Sequence, residues 1–85
     1  MKILVIGGGY VGLTTAVGFA YLGNDVIVME KDEEKLALLV NNEFEEYEPS
    51  LSSMLHYYVS EGKIDYIQNI NELEDEVLYI FLCVG

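Results

Sequence analysis

Residues 7–12 read Gly-Gly-Gly-Tyr-Val-Gly, directly after the apolar run Ile3-Leu4-Val5-Ile6. No other stretch narrows the fold as far. A continuous β-branched and apolar run predicts a buried strand. From Tyr10 to Leu22 small and apolar residues dominate, among them Val11, Leu13, Ala16, Val17, Phe19 and Ala20. They predict a helix packed closely on a sheet and ended by Gly23-Asn24. A strand that runs into Gly7-x-Gly9-x-x-Gly12 and then into a helix is the phosphate-cradling turn of a βαβ unit. Gly7 permits the tight turn. Gly9 lets the backbone approach a pyrophosphate, where a Cβ would collide with it. Gly12 allows close contact between helix and strand. The N–H groups near Tyr10 and Val11 point at the phosphates from the helix N-terminus, aided by its dipole. Gly8 falls where side chains vary, and reads as adding flexibility only.

A second apolar run, Val26–Met29, ends at Glu30, which lies 18 residues after Gly12 and 23 after Gly7. A carboxylate at the end of the second strand can accept hydrogen bonds from both hydroxyls of an adenosine ribose. It repels a 2′-phosphate, which favours NAD over NADP. The neighbouring cation Lys31 partly offsets that charge. FAD proteins share the glycine pattern, so the motif alone leaves FAD open. A glycine turn in an unrelated α/β protein is the plainer alternative.

The rest of the chain alternates helix and strand signals. Asp32 can cap a helix running to about Asn41, with Glu33 and Glu34 in its first turn and an apolar face of Leu36, Leu39 and Val40. Asn42–Tyr47 reads as a loop. Pro49 suits the first turn of a helix from Ser50 to Ser60, stopped by Gly62. Ile64–Ile67 is a third strand, Asn71–Asp75 a short polar helix or turn, and Val77–Val84 a fourth strand, apolar throughout. This order predicts the α/β class: a Rossmann-like parallel, doubly wound sheet of about four strands with flanking helices. Were these residues the whole molecule, Val77–Val84 would lie beside the first strand as an unprotected edge. Residues 1–85 therefore read as a partial dinucleotide-binding domain and a fragment of a larger protein.

Composition removes several function classes. The net charge is −11, with four lysines and no arginine, which argues against a nucleic-acid partner. The phosphates of a cofactor must then be held by backbone N–H groups rather than by a basic patch. The acidic stretches Glu43–Glu48 and Glu72–Glu76 read as solvated faces. The longest apolar run is far shorter than the ~20 residues of a membrane span, and no signal-peptide pattern is visible. The single cysteine, Cys83, fits a reducing, cytoplasmic compartment. It reads as a small hydrophobe inside a strand. His56 has no acid or nucleophile placed to form a triad and reads as surface or helix packing. No clustered ligands mark a metal site. The seven tyrosines read mostly as packing residues. Gly18 costs its helix about 1 kcal/mol relative to Ala and reads as a point of close packing.

The segment from Gly7 to Leu13 resembles the G-x-G-Y-V-G-L opening of the UDP-glucose 6-dehydrogenase family, which includes GDP-mannose and UDP-N-acetylmannosamine dehydrogenases. Asp32-Glu33-Glu34-Lys35 resembles the acid-rich start of that family's second helix, and Tyr47-Glu48-Pro49-Ser50-Leu51 its Y-E-P-G-L. The Gly62-Lys63-Ile64 turn and the closing Phe81–Gly85 resemble its G-R-L turn and its F-I-x-V-G strand end. The likeness extends over essentially the whole chain but covers only the opening part of a family member. Glu30 stands where the family usually has Asp, Ser50 replaces a glycine, and Glu45-Glu46 replaces a more apolar pair with a proline.

The resemblance implies that Val11 contacts NAD through its backbone, that Glu30 holds the ribose, and that Lys35 lies near the same adenosine end. The family oxidises the C6 alcohol of a nucleotide sugar to a carboxylate, using NAD twice. Its nucleophilic cysteine, lysine base and sugar-binding residues lie beyond Gly85, so no catalytic residue is expected here and Cys83 is not the nucleophile. The resemblance also implies a nucleotide-sugar substrate bound by other domains and a homo-oligomer. Two alternatives remain: a non-catalytic dinucleotide-binding or interaction module, and a fragment of an FAD-dependent oxidoreductase.

Overall fold

The apolar runs become strands, and every pair of neighbouring strands is parallel. A computed structural model of the chain describes residues 2–41, 43, 49–74, 76–77 and 79–83. In chain order the elements are β1 (Lys2–Ile6), α1 (Tyr10–Tyr21), β2 (Asp25–Met29), α2 (Glu33–Val40), α3 (Pro49–Ser60), β3 (Ile64–Ile67), a 3-10 turn (Ile70–Glu72) and β4 (Tyr79–Leu82). The four strands form one sheet in the order β3-β2-β1-β4. The chain builds outward from β1 through β2 to β3, then crosses back and places β4 on the free side of β1. The strand order therefore reverses at β1, as in the first half of a Rossmann sheet. Ile3 sits level with Val26 on one side and Tyr79 on the other.

Alternation along the strands sends side chains to two faces. On one face Ile3, Val5, Val26, Val28 and Ile64 pack with Leu13, Ala16, Val17 and Ala20 of α1, Leu39 of α2, and Leu51 and Leu55 of α3. On the other, Leu4, Ile27 and Ile67 form a smaller cluster, flanked by Leu73 and Val77 from the β3–β4 connection. Helix α2 starts where expected: the Asp32 carboxylate accepts the N–H of Glu34 at 2.9 Å and of Lys35 at 3.3 Å. The turn after β3 is a single 3-10 turn, and the Glu72 carboxylate closes it by accepting the N–H groups of Gln68 and Asn69.

Several side chains depart from expectation. Val40 is exposed rather than part of an apolar face, so α2 rests on the core mainly through Leu39. Gly18 does not mark close packing: a Cβ there would meet no atom within 4 Å. It lines a groove of about 620 Å³ between α1 and α3, with Thr14, Tyr21, Met54 and Tyr57. Tyr10, Tyr21, Tyr57 and Tyr79 are exposed, whereas Tyr58 and Tyr66 pack against the larger core cluster. Burial pushes the Tyr66 phenol up to about 12. β4 lies beside β1, as expected, and all four of its residues are exposed. Most of the 42–47 loop, and Asp75 in the stretch expected as a polar helix or turn, lie outside the described residues.

Candidate functional site

At the end of β1 the backbone turns through Gly7 at φ +115°, a conformation that strains any residue with a Cβ. Both flanking strands hold the turn. The Gly7 N–H donates to the Met29 carbonyl of β2 at 2.9 Å, and the Cys83 N–H, just past β4, donates to the Ile6 carbonyl at 2.8 Å. The Cys83 carbonyl lies so close to the Gly7 α-carbon that a Cβ on Gly7 would overlap it. The loop thus sits outside the carboxyl ends of β1, β2 and β4, at the point where strand order reverses. Open α/β sheets bind ligands there.

Gly9 and Gly12 divide the work of seating α1. A Cβ on Gly12 would overlap the Gly7 carbonyl oxygen and lie 3.6 Å from the Cys83 Cβ. The helix can approach the sheet this closely only because that side chain is missing. Gly9 is the N-cap of α1, supplies no side-chain cap, and would have open space around an added Cβ. The first turn of a helix has no preceding helical carbonyls to accept its N–H groups. Here the N-cap offers no side-chain acceptor and the space beside Gly9 is open, so the positive end of the dipole is turned toward room that a phosphate can fill. Tyr10 and Val11 sit at the rim of this opening, 37% and 62% exposed. No acid or base occurs between Gly7 and Leu22, so the backbone alone supplies positive potential.

Glu30 follows β2 and is fixed by its own N–H, which donates to the Ile67 carbonyl of β3 at 2.9 Å. Its side chain folds back under the glycine loop. Oε1 accepts the Gly8 N–H at 2.9 Å and Oε2 accepts the Asp32 N–H at 2.9 Å. An ionised carboxylate has about four acceptor directions, so each oxygen retains one for a ligand hydroxyl. These contacts correct the expectation for Gly8. It is buried, not merely flexible, and a Cβ there would lie 2.8 Å from Glu30 Oε1 and 3.2 Å from Leu39 Cδ1. A hydrogen bond across 22 positions leaves no local sequence signal. The only available hint was the reach of a glutamate at this place.

Gly7, Gly9, Tyr10, Val11, Gly12 and Glu30 therefore converge on one loop. Lys35 does not join them through its side chain. It is exposed on α2, and among the described residues its ammonium makes no hydrogen bond or ion pair with the loop or Glu30. Cys83 is not inside β4 but directly after it, half-buried against the larger core, and supports the loop through its backbone. His56 is exposed on α3. Glu48 lies outside the described residues. Among the described residues no group of three or more His, Cys, Asp or Glu could hold a metal ion, and no helix is long and apolar enough to cross a membrane. An uncapped helix start, open space at Gly9 and a carboxylate with remaining acceptor directions match a diphosphate joined to a ribose diol.

Comparison with known proteins agrees with this geometry. The chain is 38% identical to the UDP-glucose 6-dehydrogenase of Pseudomonas aeruginosa over all 85 residues, which is 19% of that protein. The solved structure of UDP-D-ManNAc dehydrogenase from Pyrococcus horikoshii superposes with a TM-score of 0.89 at 30% identity, over 99% of this chain and 20% of that one. GDP-mannose dehydrogenase from Pseudomonas aeruginosa, solved as a ternary complex, gives 0.84 at 28% identity over 100% of this chain and 20% of that one. The chain thus spans about one fifth of the length of the proteins it matches. Residues 1–85 match the model of the UDP-glucose/GDP-mannose dehydrogenase family, NAD binding domain, and the chain belongs to that family.

Proposed function

We propose that this chain holds the adenosine diphosphate half of NAD for the oxidation of a nucleotide sugar, of the type that converts UDP-glucose to UDP-glucuronate. The observation that carries this reading is the meeting of two groups at one loop: the uncapped start of α1 beyond Gly9, and the Glu30 carboxylate held by Gly8 and Asp32. The N–H groups of the first turn of α1 take the pyrophosphate. The outer acceptor directions of Glu30 take the two ribose hydroxyls. A 2′-phosphate would place its charge against that carboxylate, so NAD is preferred to NADP. Lys35 approaches the adenosine end by extending its stem from α2. NAD, when bound, accepts a hydride from the sugar alcohol. The residues of this chain fix the cofactor's position and leave the nucleophile, the base and the sugar pocket to segments outside it. The intact protein acts in the cytoplasm as a homo-oligomer, without a nucleic-acid or membrane partner.

Isothermal calorimetry of the intact protein with NAD, NADP and FAD tests this. NAD is expected to bind most tightly, and Glu30→Ala to weaken it roughly tenfold, the loss of hydrogen bonds to a charged acceptor. Tighter binding of FAD, or no effect of Glu30→Ala, would overturn it.

A further inference from the structure

We propose that Gly8 is a positioning residue for the ribose-binding carboxylate: its missing side chain reserves the space through which Glu30 reaches back to the loop. This rests on the reading of Glu30 as the ribose ligand. Glu30 is anchored at both ends. Its N–H is held by β3, and its two carboxylate oxygens are held by backbone N–H groups from different segments, the glycine loop and the approach to α2. Two such anchors fix the plane of the carboxylate and hence the direction of its remaining acceptor sites.

A methyl group at position 8 would disturb this arrangement selectively. It would lie 2.8 Å from Oε1 and 3.2 Å from the Glu30 Cβ, with the Leu39 Cδ1 at 3.2 Å. Leu39 belongs to the packed core and is 5% exposed, so it yields poorly. The Glu30 carboxylate, at the end of a flexible chain, is what moves. It leaves the Gly8 N–H and turns its outer acceptor sites away from a ribose. The backbone itself tolerates alanine, because Gly8 is not among the residues with positive φ. Shortening Glu30 by one methylene withdraws the carboxylate from the contact and gives up the Gly8 bond. Gly8→Ala therefore has a large effect only while residue 30 is glutamate.

A double-mutant cycle on the intact protein tests the coupling, with NAD affinity measured by calorimetry. We expect Gly8→Ala to weaken NAD about tenfold and Glu30→Asp about threefold, and the double variant to lie within about twofold of Glu30→Asp alone, a coupling within the range seen for residues in contact. A loss from Gly8→Ala by the same factor in both backgrounds would overturn the proposal. Amide hydrogen exchange without nucleotide supplies a second readout. The Gly8 amide is expected to be protected in the parent and released by Glu30→Ala, and an exchange rate unchanged by that substitution also overturns the proposal. A parent protein that does not bind NAD would overturn the functional reading instead, and with it the ribose part of this one. The exchange rates would still decide the Gly8–Glu30 contact.

Discussion

On one face of the sheet, five strand residues, Ile3, Val5, Val26, Val28 and Ile64, pack beneath three helices. On the opposite face, among the described residues, only Leu4, Ile27 and Ile67 belong to the buried cluster, covered in part by Leu73 and Val77 of a connecting segment. β1 lies where both faces are covered, so Ile3, Leu4 and Val5 are all almost fully buried. β4 is just as apolar, yet Tyr79, Ile80, Phe81 and Leu82 are exposed. Phe81 meets a partner on the helical face, the ring of Phe19 with centroids 4.7 Å apart. Leu82, pointing the other way, is 68% exposed. The difference teaches that apolar composition states what a strand tolerates, while its neighbours decide how much is buried.

The largest expected effect lies in that contrast. Leu13→Ala, beneath the helices, is expected to destabilise the protein by about 2–5 kcal/mol, whereas Leu82→Ala should change stability by less than about 0.5 kcal/mol. Urea denaturation of the two variants checks this, and equal losses would break the comparison. Tyr66 sharpens it at the β3 end of the helical face. Its phenol ionises near pH 10 when unfolded and is pushed up to about 12 by burial when folded. Between those pH values unfolding releases a proton, so stability should fall as pH rises from about 10 to about 12, by about 2–3 kcal/mol, and be insensitive to this group below pH 10. Thermal melts across that range should lose the contribution in Tyr66→Phe. A smaller effect concerns how α2 is fixed onto that face. Asp32→Ala removes the cap on Glu34 and Lys35 and should cost about 1 kcal/mol. A denaturation midpoint unchanged by this substitution would mean that packing of Leu39 alone holds the helix.

Much of the fold was legible in the sequence because period and punctuation are local. Apolar runs predict β1, β2 and β3 within a residue, and Asp32, Pro49 and Gly62 mark helix limits. The glycine spacing located the loop and, with Glu30, placed its acidic partner. What stayed hidden depends on three dimensions. The exposure of Val40 and β4 follows from what lies alongside them. The open groove at Gly18 follows from how α1 and α3 sit side by side. The burial of Gly8 follows from a side chain that returns from the far end of β2, and nothing in the triple glycine distinguishes a residue that must be small from one that merely is.

One consequence follows from the way Gly7 is held. Its turn is the last rung of two ladders, tied to β2 through the Met29 carbonyl and to β4 through Ile6 and Cys83. The β2 tie is deeply packed, but the β4 tie hangs on the most exposed strand of the sheet. Edge strands with few buried contacts open locally at small free-energy cost. Anything that steadies β4 from outside would therefore steady the glycine turn as well, through the bond between Cys83 and Ile6.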